Sequence, residues 1–316
     1  EPDLLENLDL VALATVCDAV PLTGLNRAFV IQGLKVMAER RRPGLVALAD
    51  VARLTRRPDV HALGFILGPR LNAAGRIGDA MLGLELLMTR DRGRAQALAQ
   101  QLEQLNRERQ KIEMAVVDAA QDQAAAALER CPSLPLLLVS GEDWHPGILG
   151  LVAARLKERF GLPALALGLE PGGTVASGSG RSVAGVDLGR AVRAAAEAHV
   201  IVKGGGHAMA AGLTVERGRL DELQAFLAEA LAQAGPGPGD WTLDLDGALS
   251  ASGATLDLLG LIERAGPYGS GNPEPVFALP AHRIVYADPV GSDHVRCTLA
   301  AGDGTRLKAI AFRAMG

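Results

Sequence analysis

The sequence predicts an α/β protein that contains one long helix and ends in a small all-β unit. Between residues 135 and 233, short apolar runs alternate with segments of helical periodicity, which is typical of an α/β domain. Residues 93–128 contain few helix breakers and many good helix formers, which favours one continuous helix. Beyond residue 240 the pattern changes to short alternating segments, which indicate about five strands.

The N-terminal part of the chain is predicted to be mostly helical, with one loop. Leu8–Val16 is an apolar run that forms either a buried strand or a short helix, and Asp18 lies just after its end. The glycines and arginines of 66–77 indicate a loop. Periodicity and breaker positions predict the other elements: a helix over 26–39, two short helices within 43–67 separated by a turn at 55–58, and a helix over 80–87.

A linker separates the predicted α/β domain from the β unit. Residues 234–239 alternate Gly and Pro and contain no core-forming side chain, as is typical of linkers. Within the α/β domain we expect strands at 135–140, 163–169, 173–180 and 213–215, and helices at 148–160, 187–199 and 217–233. Within the β unit we expect strands at 241–245, 276–278, 282–286, 295–300 and 307–312.

The composition limits the class of protein and its partners. The chain has 316 residues, 48% hydrophobic and 22% charged, which suits a globular protein of two or more domains. Its formal net charge of −4 means that a nucleic-acid partner needs a local basic patch. The three cysteines are far apart, which argues against a disulfide framework and favours the cytoplasm. No apolar run is long enough to cross a membrane, so we expect no membrane contact.

Three consecutive glycines, Gly204, Gly205 and Gly206, precede His207. Glycine is a poor choice for a helix or a strand, because it loses the most backbone entropy when it is ordered. A bare backbone whose N–H groups lie beside an imidazole suits a phosphate or another anion. A tight turn packed on a neighbouring element explains the same residues equally well, and this segment alone does not decide between the two.

Two further segments combine arginine with flexible backbone. Arg70 and Arg76 lie six residues apart on the predicted loop, where they form either a phosphate clamp or a solvated surface. Ser179 and Arg181 lie in a Ser-Gly-Ser-Gly-Arg-Ser run, which is either an anion site or a turn at a strand end. Because no Gly-Lys-Ser/Thr follows, this run does not predict a nucleotide triphosphatase.

Asp18 and His145 are the remaining candidates. Asp18 closes an apolar run, where an acid is either a metal ligand or a helix N-cap. His145 lies between a predicted strand and a helix, where it is either catalytic or a helix cap. The sequence contains no His-x-x-x-His and no other self-sufficient metal cluster. It therefore does not predict a complete hydrolytic site.

Six segments, in the same order along nearly the whole chain, resemble the RecJ-type single-stranded-DNA exonucleases of the DHH phosphoesterase family. Any one of these segments is a weak signal, whereas six in order are specific. They are Leu10–Asp18, Gly68–Arg76, Trp144–Gly147, Ser177–Ser182, Gly204–Gly212 and Gly266–Pro273.

The resemblance implies a division of the chain into four parts. These are a remnant of the DHH catalytic domain at 1–90, a connecting helix at 91–130, a DHHA1 substrate-binding domain at 131–235 and a truncated OB-fold at 240–316. The chain lacks the Asp-His-His motif, starts without Met and ends directly after an apolar run, so we expect a C-terminal fragment. The family uses two divalent ions, Mn²⁺ or Mg²⁺, and Asp18 matches the last aspartate that binds them.

The resemblance also implies a function, which is 5′→3′ hydrolysis of single-stranded DNA in repair and recombination. Substrate binding would then fall to Arg70 or Arg76, Ser179, Arg181 and Gly204–His207, with His207 also catalytic. Single-stranded-DNA-binding protein and a helicase are the expected protein partners. Two alternatives stay open: an inactive single-stranded-DNA-binding fragment, and a phosphodiesterase of small substrates such as nanoRNA or cyclic dinucleotides. The β unit argues against the second, because small substrates need no domain that follows the backbone.

Overall fold

The structure, a computed structural model, describes residues 3–232, 243–291 and 293–315. These residues divide into two units. The first unit comprises the described parts of 1–41, 56–64 and 242–316, and the second comprises those of 42–55 and 65–241.

The α-helices of the described residues are as follows, in chain order: α1 (Leu8–Cys17), α2 (Gly24–Ala38), α3 (Pro43–Val51), α4 (Gly68–Ile77), α5 (Met81–Met88), α6 (Arg92–Arg130), α7 (Pro146–Phe160), α8 (Leu188–Glu197), α9 (Leu220–Ala232) and α10 (Leu256–Ala265). A π-helical turn, Ala62–Leu67, leads directly into α4. No helix in the described ranges has both the length and the apolar content to cross a membrane.

The strands are β1 (Leu137–Glu142), β2 (Ala164–Leu169), β3 (Val175–Arg181), β4 (Lys203–His207), β5 (Ala210–Glu216), β6 (Gly247–Ala248), β7 (Phe277–Ala278), β8 (Arg283–Val290), β9 (His294–Ala300) and β10 (Arg306–Ala311). In the second unit, β1, β2, β3, β5 and β4 form one sheet in that spatial order. Only β1 and β2 are parallel in it, and the other pairs are antiparallel.

The sheet of the second unit has a hydrophobic core on each face. Leu165 and Leu167 of β2 pack among side chains of α8 and α9. Ala164 and Ala166, which alternate with them, pack on the opposite face among side chains of α6 and α7. Since β2 is buried on both faces, its sequence is a continuous apolar run, as predicted.

Helix α6 supports the second unit. It is 39 residues long, begins where the Asp91 side chain accepts a hydrogen bond from the Arg94 N–H, and packs against α3, α4, α5, α7 and β1. The predicted long helix is therefore confirmed, and its length is explained by contacts along most of one side. A continuous helix of good helix formers is a rigid support for residues placed at its middle.

In the first unit, α2 crosses α1 at very short range. A Cβ atom on Gly33 would lie 2.5 Å from the Ala12 Cβ and would overlap the Leu8 carbonyl oxygen. Leu22, which follows α1, donates its backbone N–H to the Ser270 carbonyl at 2.6 Å. The segment that precedes β7 is therefore anchored on the loop that carries Asp18.

The C-terminal strands agree with the sequence except at their start. The predicted strands at 276–278, 282–286, 295–300 and 307–312 correspond to β7 to β10. Strands β8, β9 and β10 form an antiparallel sheet, β6 and β7 form a parallel pair, and the described strands do not close a barrel. Residues 243–245 form no strand. The predicted linker at 234–239 belongs to residues 233–242, which lie outside the described residues. Helix α10 was not predicted.

The loop predicted over 66–77 is wrong, because these residues form α4 and the turn before it. Pro69 lies in the first turn of the helix, where a missing N–H costs little. Ala73 and Ala74 are fully buried, so tertiary packing outweighs the glycines. Arg70 and Arg76 consequently lie on a helix rather than on a loop.

The turn interpretation of Gly204–Gly206 is also wrong, because the three glycines lie within strand β4. Two of them are explained by packing. A Cβ on Gly204 would lie 2.7 Å from the Val192 Cγ1, and one on Gly206, whose φ is +154°, would overlap the Ala210 carbonyl oxygen. Close approach of α8 and the strand's own φ angle therefore outweigh the low strand preference of glycine.

We predict that Gly33→Ala lowers the free energy of unfolding by about 1–3 kcal/mol, because α1 and α2 must separate to admit the methyl group. Urea unfolding measures this loss. Gly260→Ala is the matched control, because its Cβ on α10 meets nothing within 4 Å. This control is expected to leave stability unchanged or to raise it by up to about 1 kcal/mol. Equal effects of the two changes would contradict the packing argument.

Candidate functional site

One face of the second unit's sheet is open over β5 and β4, and α7 borders it along β3. Residues at alternate positions of these strands share this face, and the residues between them point into the core formed with α8 and α9. On β5 the exposure follows the same alternation, since Gly212 is exposed while Ala211 and Leu213 are buried. We call this surface the open face. It carries Ser177, Ser179 and Arg181 of β3, Ala210, Gly212 and Thr214 of β5, and Lys203, Gly205 and His207 of β4.

Strand register aligns these residues in rows. Arg181 pairs with Ala210, and Ala210 pairs with His207, so these three form one row. Strands lie about 4.8 Å apart, which places the backbones of Arg181 and His207 roughly 10 Å from each other. Ser179 belongs to the next row with Gly205. The fold thus gathers Ser179, Arg181, Gly205 and His207 on one surface.

Arg181 reaches from the open face to the first turns of α7. A Cβ atom on Gly150 would lie 2.7 Å from the Arg181 Nη2, so the glycine leaves room for the guanidinium group. The Arg181 Nη1 donates to the Gly180 carbonyl at 2.9 Å. Burial lowers the pKa of Arg181, but a guanidinium in a protein remains charged at neutral pH.

Arg76, at the end of α4, meets the same part of α7. Its Nη1 donates to the Gly147 carbonyl at 2.8 Å, and a Cβ on Gly147 would overlap the Arg76 carbonyl oxygen. Gly147 and Gly150 are three residues apart and therefore share one face of the helix. Arg76 and Arg181 converge on that face.

Arg109 of α6 adds a third guanidinium group to this cluster. It is only 8% exposed, its Nη1 lies 2.5 Å from the Glu113 Oε2, and its Nη2 donates to the Asn106 Oδ1 at 3.0 Å. The Arg109 Nε is buried and has no hydrogen-bond partner in the described part of the chain. Such an orphaned buried donor is costly unless a further group satisfies it.

The charges of the cluster act on one another. The pKa of Arg76 is lowered first by burial and then by the charge of Arg109, with a smaller contribution from Arg181, while Glu113 raises it. We call Arg76, Arg109 and Arg181 with Glu113 the guanidinium cluster. Three positive charges face one carboxylate, so the cluster favours an added anion.

The N-terminus of α7 adds to this positive potential. His145 is the N-cap, and its Nδ1 accepts the Gly147 N–H at 3.1 Å. Of the two interpretations of His145, the structure therefore shows the cap. The first turn of a 15-residue helix carries the positive end of the helix dipole, which favours anions.

Arg70 does not belong to the cluster. Its Nε lies 2.6 Å from the Glu103 Oε2, and its Nη1 donates to the Ile66 carbonyl at 2.6 Å. The side chains of Arg70 and Glu103 are 17% and 13% exposed, so the pair is largely buried. The charge of Arg70 is thus neutralised within the protein.

His207 presents its imidazole on the open face at the end of β4. The Nδ1 of His207 accepts the Met209 N–H at 3.3 Å. In the neutral ring the proton is then on Nε2, which makes that atom a hydrogen-bond donor. Gly205 faces the same surface and meets nothing within 4 Å of its Cβ position, unlike Gly204 and Gly206, which pack as described above.

Asp18 lies in the other unit, where it is the exposed C-cap of α1. The N-cap interpretation of Asp18 is therefore wrong, because the helix precedes it. In residues 3–232, 243–291 and 293–315, no group of three His, Cys, Asp or Glu side chains is placed to hold a metal ion. One carboxylate does not make a divalent-metal site, so the described residues do not fit a complete one.

Sequence reasoning missed the contribution of α6 to the site. The buried stripe of α6 is apolar at both ends and polar in the middle, where Asn106, Arg109 and Glu113 replace apolar residues at helical spacing. Charged residues on a buried stripe are costly and mark functional positions more often than exposed ones do. This interruption was readable from the sequence.

The chain matches known families and proteins along nearly all of its length. Residues 133–233 match the DHHA1 domain and residues 245–316 match the RecJ OB domain. The single-stranded-DNA-specific exonuclease RecJ of Dickeya dadantii is 40% identical over 99% of this chain and 55% of its own length. The chain belongs to the RecJ family. RecJ of Salmonella typhimurium is 37% identical over 98% of this chain and 55% of its own length.

A crystal structure of Thermus thermophilus RecJ in complex with Mn²⁺ has the same fold. It superposes with a TM-score of 0.84 at 31% identity, covering 98% of this chain and 44% of that one. The predicted fold class, a DHHA1 domain followed by a partial OB-fold, is therefore confirmed. The chain spans about half the length of the curated RecJ relatives that it matches.

We predict that Arg70→Ala destabilises the second unit by about 2–3 kcal/mol. The change leaves the carboxylate of Glu103 largely buried, with the exposed Arg107 as its remaining ion-pair partner among the described residues. Thermal and urea unfolding measure this loss. Arg94→Ala breaks an exposed ion pair with Glu85 and is the control, with little or no change expected. A change at Arg70 no larger than that at Arg94 would show that the buried pair is not structural.

Proposed function

We propose that this chain provides the end-binding part of a single-stranded-DNA-specific exonuclease, and that it holds a terminal 5′ phosphate at the guanidinium cluster. The observation that carries the proposal is the convergence of Arg76 and Arg181 on the first turns of α7, with Arg109 behind them. Arginine binds phosphate through two parallel N–H donors, and a helix N-terminus favours the same ligand.

The charge of the cluster supports a terminal phosphate over an internal one. Three guanidinium groups and the carboxylate of Glu113 leave two positive charges unbalanced. A phosphate monoester carries about −1.5 to −2 at pH 7, whereas an internal diester carries a single negative charge. The terminal phosphate of a DNA strand is therefore the better electrostatic match to the cluster. Binding of this phosphate would make digestion start at the end of the strand.

The open face supports the assignment of the other site residues. Ser179 lies one row from Arg181 on the same strand face, and its hydroxyl is a candidate donor to a phosphate oxygen. His207 lies in the row of Arg181, and its Nε2–H is a candidate donor at the adjacent, scissile phosphodiester. In this proposal His207 is catalytic, and Gly205 gives the nucleic acid close access to the sheet. Arg76 takes the role that the sequence assigned to either Arg70 or Arg76.

The metal chemistry of the proposal rests on the relatives. Thermus thermophilus RecJ has been crystallised with Mn²⁺ and with Mg²⁺. We propose that two such ions activate the hydrolytic water in the complete enzyme, and that Asp18 is one of their ligands. Among the described residues, no set of three metal ligands accompanies Asp18.

The proposal also includes a role in DNA repair and recombination, a cytoplasmic location, and partnership with single-stranded-DNA-binding protein and a helicase.

A second candidate function is an inactive single-stranded-DNA-binding module. The absence of a metal-ligand group in the described ranges favours it. Nuclease activity of the 316-residue chain that is lost in Asp18→Ala would exclude it.

We predict that Arg181→Ala weakens binding of single-stranded DNA with a 5′ phosphate by about 10- to 100-fold, because charged hydrogen bonds to the phosphate are lost. Binding of the same strand with a 5′ hydroxyl is expected to change little. Fluorescence anisotropy at two salt concentrations in EDTA measures both affinities. Lys111→Ala removes a positive charge from the exposed side of α6 and is the control.

The melting temperature separates a binding role of Arg181 from a structural one. Removing one of several like charges is expected to leave the melting temperature almost unchanged. An equal loss of affinity for the phosphorylated and hydroxyl strands, or a large fall in melting temperature, would contradict the proposed end-binding role.

We also predict that His207→Ala in the complete enzyme lowers kcat while the melting temperature stays within about 1 °C, because the exposed ring makes few packing contacts. Single-turnover release of the 5′ nucleotide from single-stranded DNA measures the effect. His199→Ala, at an exposed histidine after α8, is the control. Unchanged turnover in His207→Ala would contradict the catalytic role and would leave the Gly-Gly-Gly-His segment with a packing role alone.

A further inference from the structure

The open face extends beyond the rows that hold Arg181 and Ser179. Ser177 pairs with Thr214, and Thr214 pairs with Lys203, so these residues form a third row. The hydroxyl groups of Ser177 and Thr214 are hydrogen-bonded at 2.8 Å, which leaves one hydroxyl proton available as a donor. Lys203 is exposed, and in the part of the chain that the structure describes it has no ion-pair partner.

The middle row is flat although space for side chains exists. It contains Gly205 and Gly212 beside Ser179. A Cβ on Gly205 would meet nothing within 4 Å, and one on Gly212 would meet only the Gly178 carbonyl oxygen at 3.7 Å. Packing therefore does not require glycine at either position. Two bare positions side by side leave a path across the sheet between the first and third rows.

The path ends at the next row. Val175 pairs there with Glu216, so the open face presents an apolar side chain and an exposed carboxylate. A carboxylate repels a phosphate, and valine offers no hydrogen-bond donor. Donors for phosphate are consequently confined to three rows, spaced about 6.8 Å apart because alternate residues of a strand share a face.

We infer that the three rows are successive phosphate-binding steps, so that the chain binds the first three phosphates of a single strand and Lys203 holds the third. The inference rests on the proposed function, which places the terminal phosphate at Arg181. The second phosphate, which is the scissile phosphodiester, is served by Ser179 together with His207 at the end of the first row. The Ser177–Thr214 hydroxyl pair acts with Lys203 on the third.

The test uses 5′-phosphorylated thymidine ligands with one, two or three phosphates, titrated into the 316-residue chain in EDTA. Wild-type affinity is expected to rise from one phosphate to three. Lys203→Ala is expected to weaken binding of the three-phosphate ligand by roughly two- to fivefold, as for one exposed charge contact. The slope of log K against log salt concentration should also become shallower by about 0.7 for that ligand. Both quantities should be unchanged for the one-phosphate ligand.

Two variants control the test. Lys203→Arg keeps the charge and is expected to restore binding of the three-phosphate ligand. Lys111→Ala makes the same charge change on the exposed side of α6 and is expected to affect all three ligands equally and slightly. Restoration by Lys203→Arg, with no selective effect of Lys111→Ala on the three-phosphate ligand, supports a direct contact.

The outcomes separate this inference from the proposed function. If the one-phosphate ligand binds and depends on Arg181, but affinity does not rise with length or Lys203→Ala weakens all ligands alike, the three-row inference is overturned and end binding stands. If no ligand binds the wild-type chain, end binding itself is overturned, and the three-row inference with it.

Discussion

Arg76, Arg109 and Arg181 carry like charges, and the second unit holds them together at the start of α7 with Glu113 as their carboxylate. Each guanidinium comes from a different element, namely α4, α6 and β3. Their repulsion must be offset by packing and hydrogen bonds, or by an anion that binds among them. A ligand that binds only the folded arrangement stabilises it by mass action, so the proposed phosphate ligand would also stabilise the fold.

The rigidity of α6 explains how Arg109 can be placed among these charges. Burying an arginine is costly unless its N–H groups are hydrogen-bonded. The two terminal nitrogens of Arg109 bind Asn106 and Glu113 on its own helix, whereas its Nε has no partner in the described residues. Because all three residues project from one continuous helix, their spacing does not depend on a loop. The polar middle of the stripe reduces hydrophobic burial there, which is the type of local cost found at binding sites.

Strong periodic signals made much of the fold predictable, whereas the details of the site depended on distant contacts. The predicted long helix α6 and the predicted apolar strands are confirmed. The sequence pattern of each of these elements lies within a single segment of the chain, so it could be recognised without knowing distant contacts. Helix α4 was taken for a loop, and β4 was not predicted as a strand. In both cases packing against distant elements, of Ala73 and Ala74 in α4 and of Gly204 in β4, outweighed local preference. The sequence could not choose between Arg70 and Arg76, since the partner of Arg70, Glu103, lies 33 residues away.

Strand β4 is the outer strand of its sheet, so one side of its backbone has no neighbouring strand among the described residues of the second unit. An unpaired edge of this kind is a template for adding a strand from another molecule, and proteins that leave it apolar tend to aggregate. The run of glycines in β4 offers an incoming strand no side chains to pack against, and Lys203 adds a charge at its start. The glycines that leave this part of the open face bare therefore also protect the protein from edge-to-edge association at high concentration.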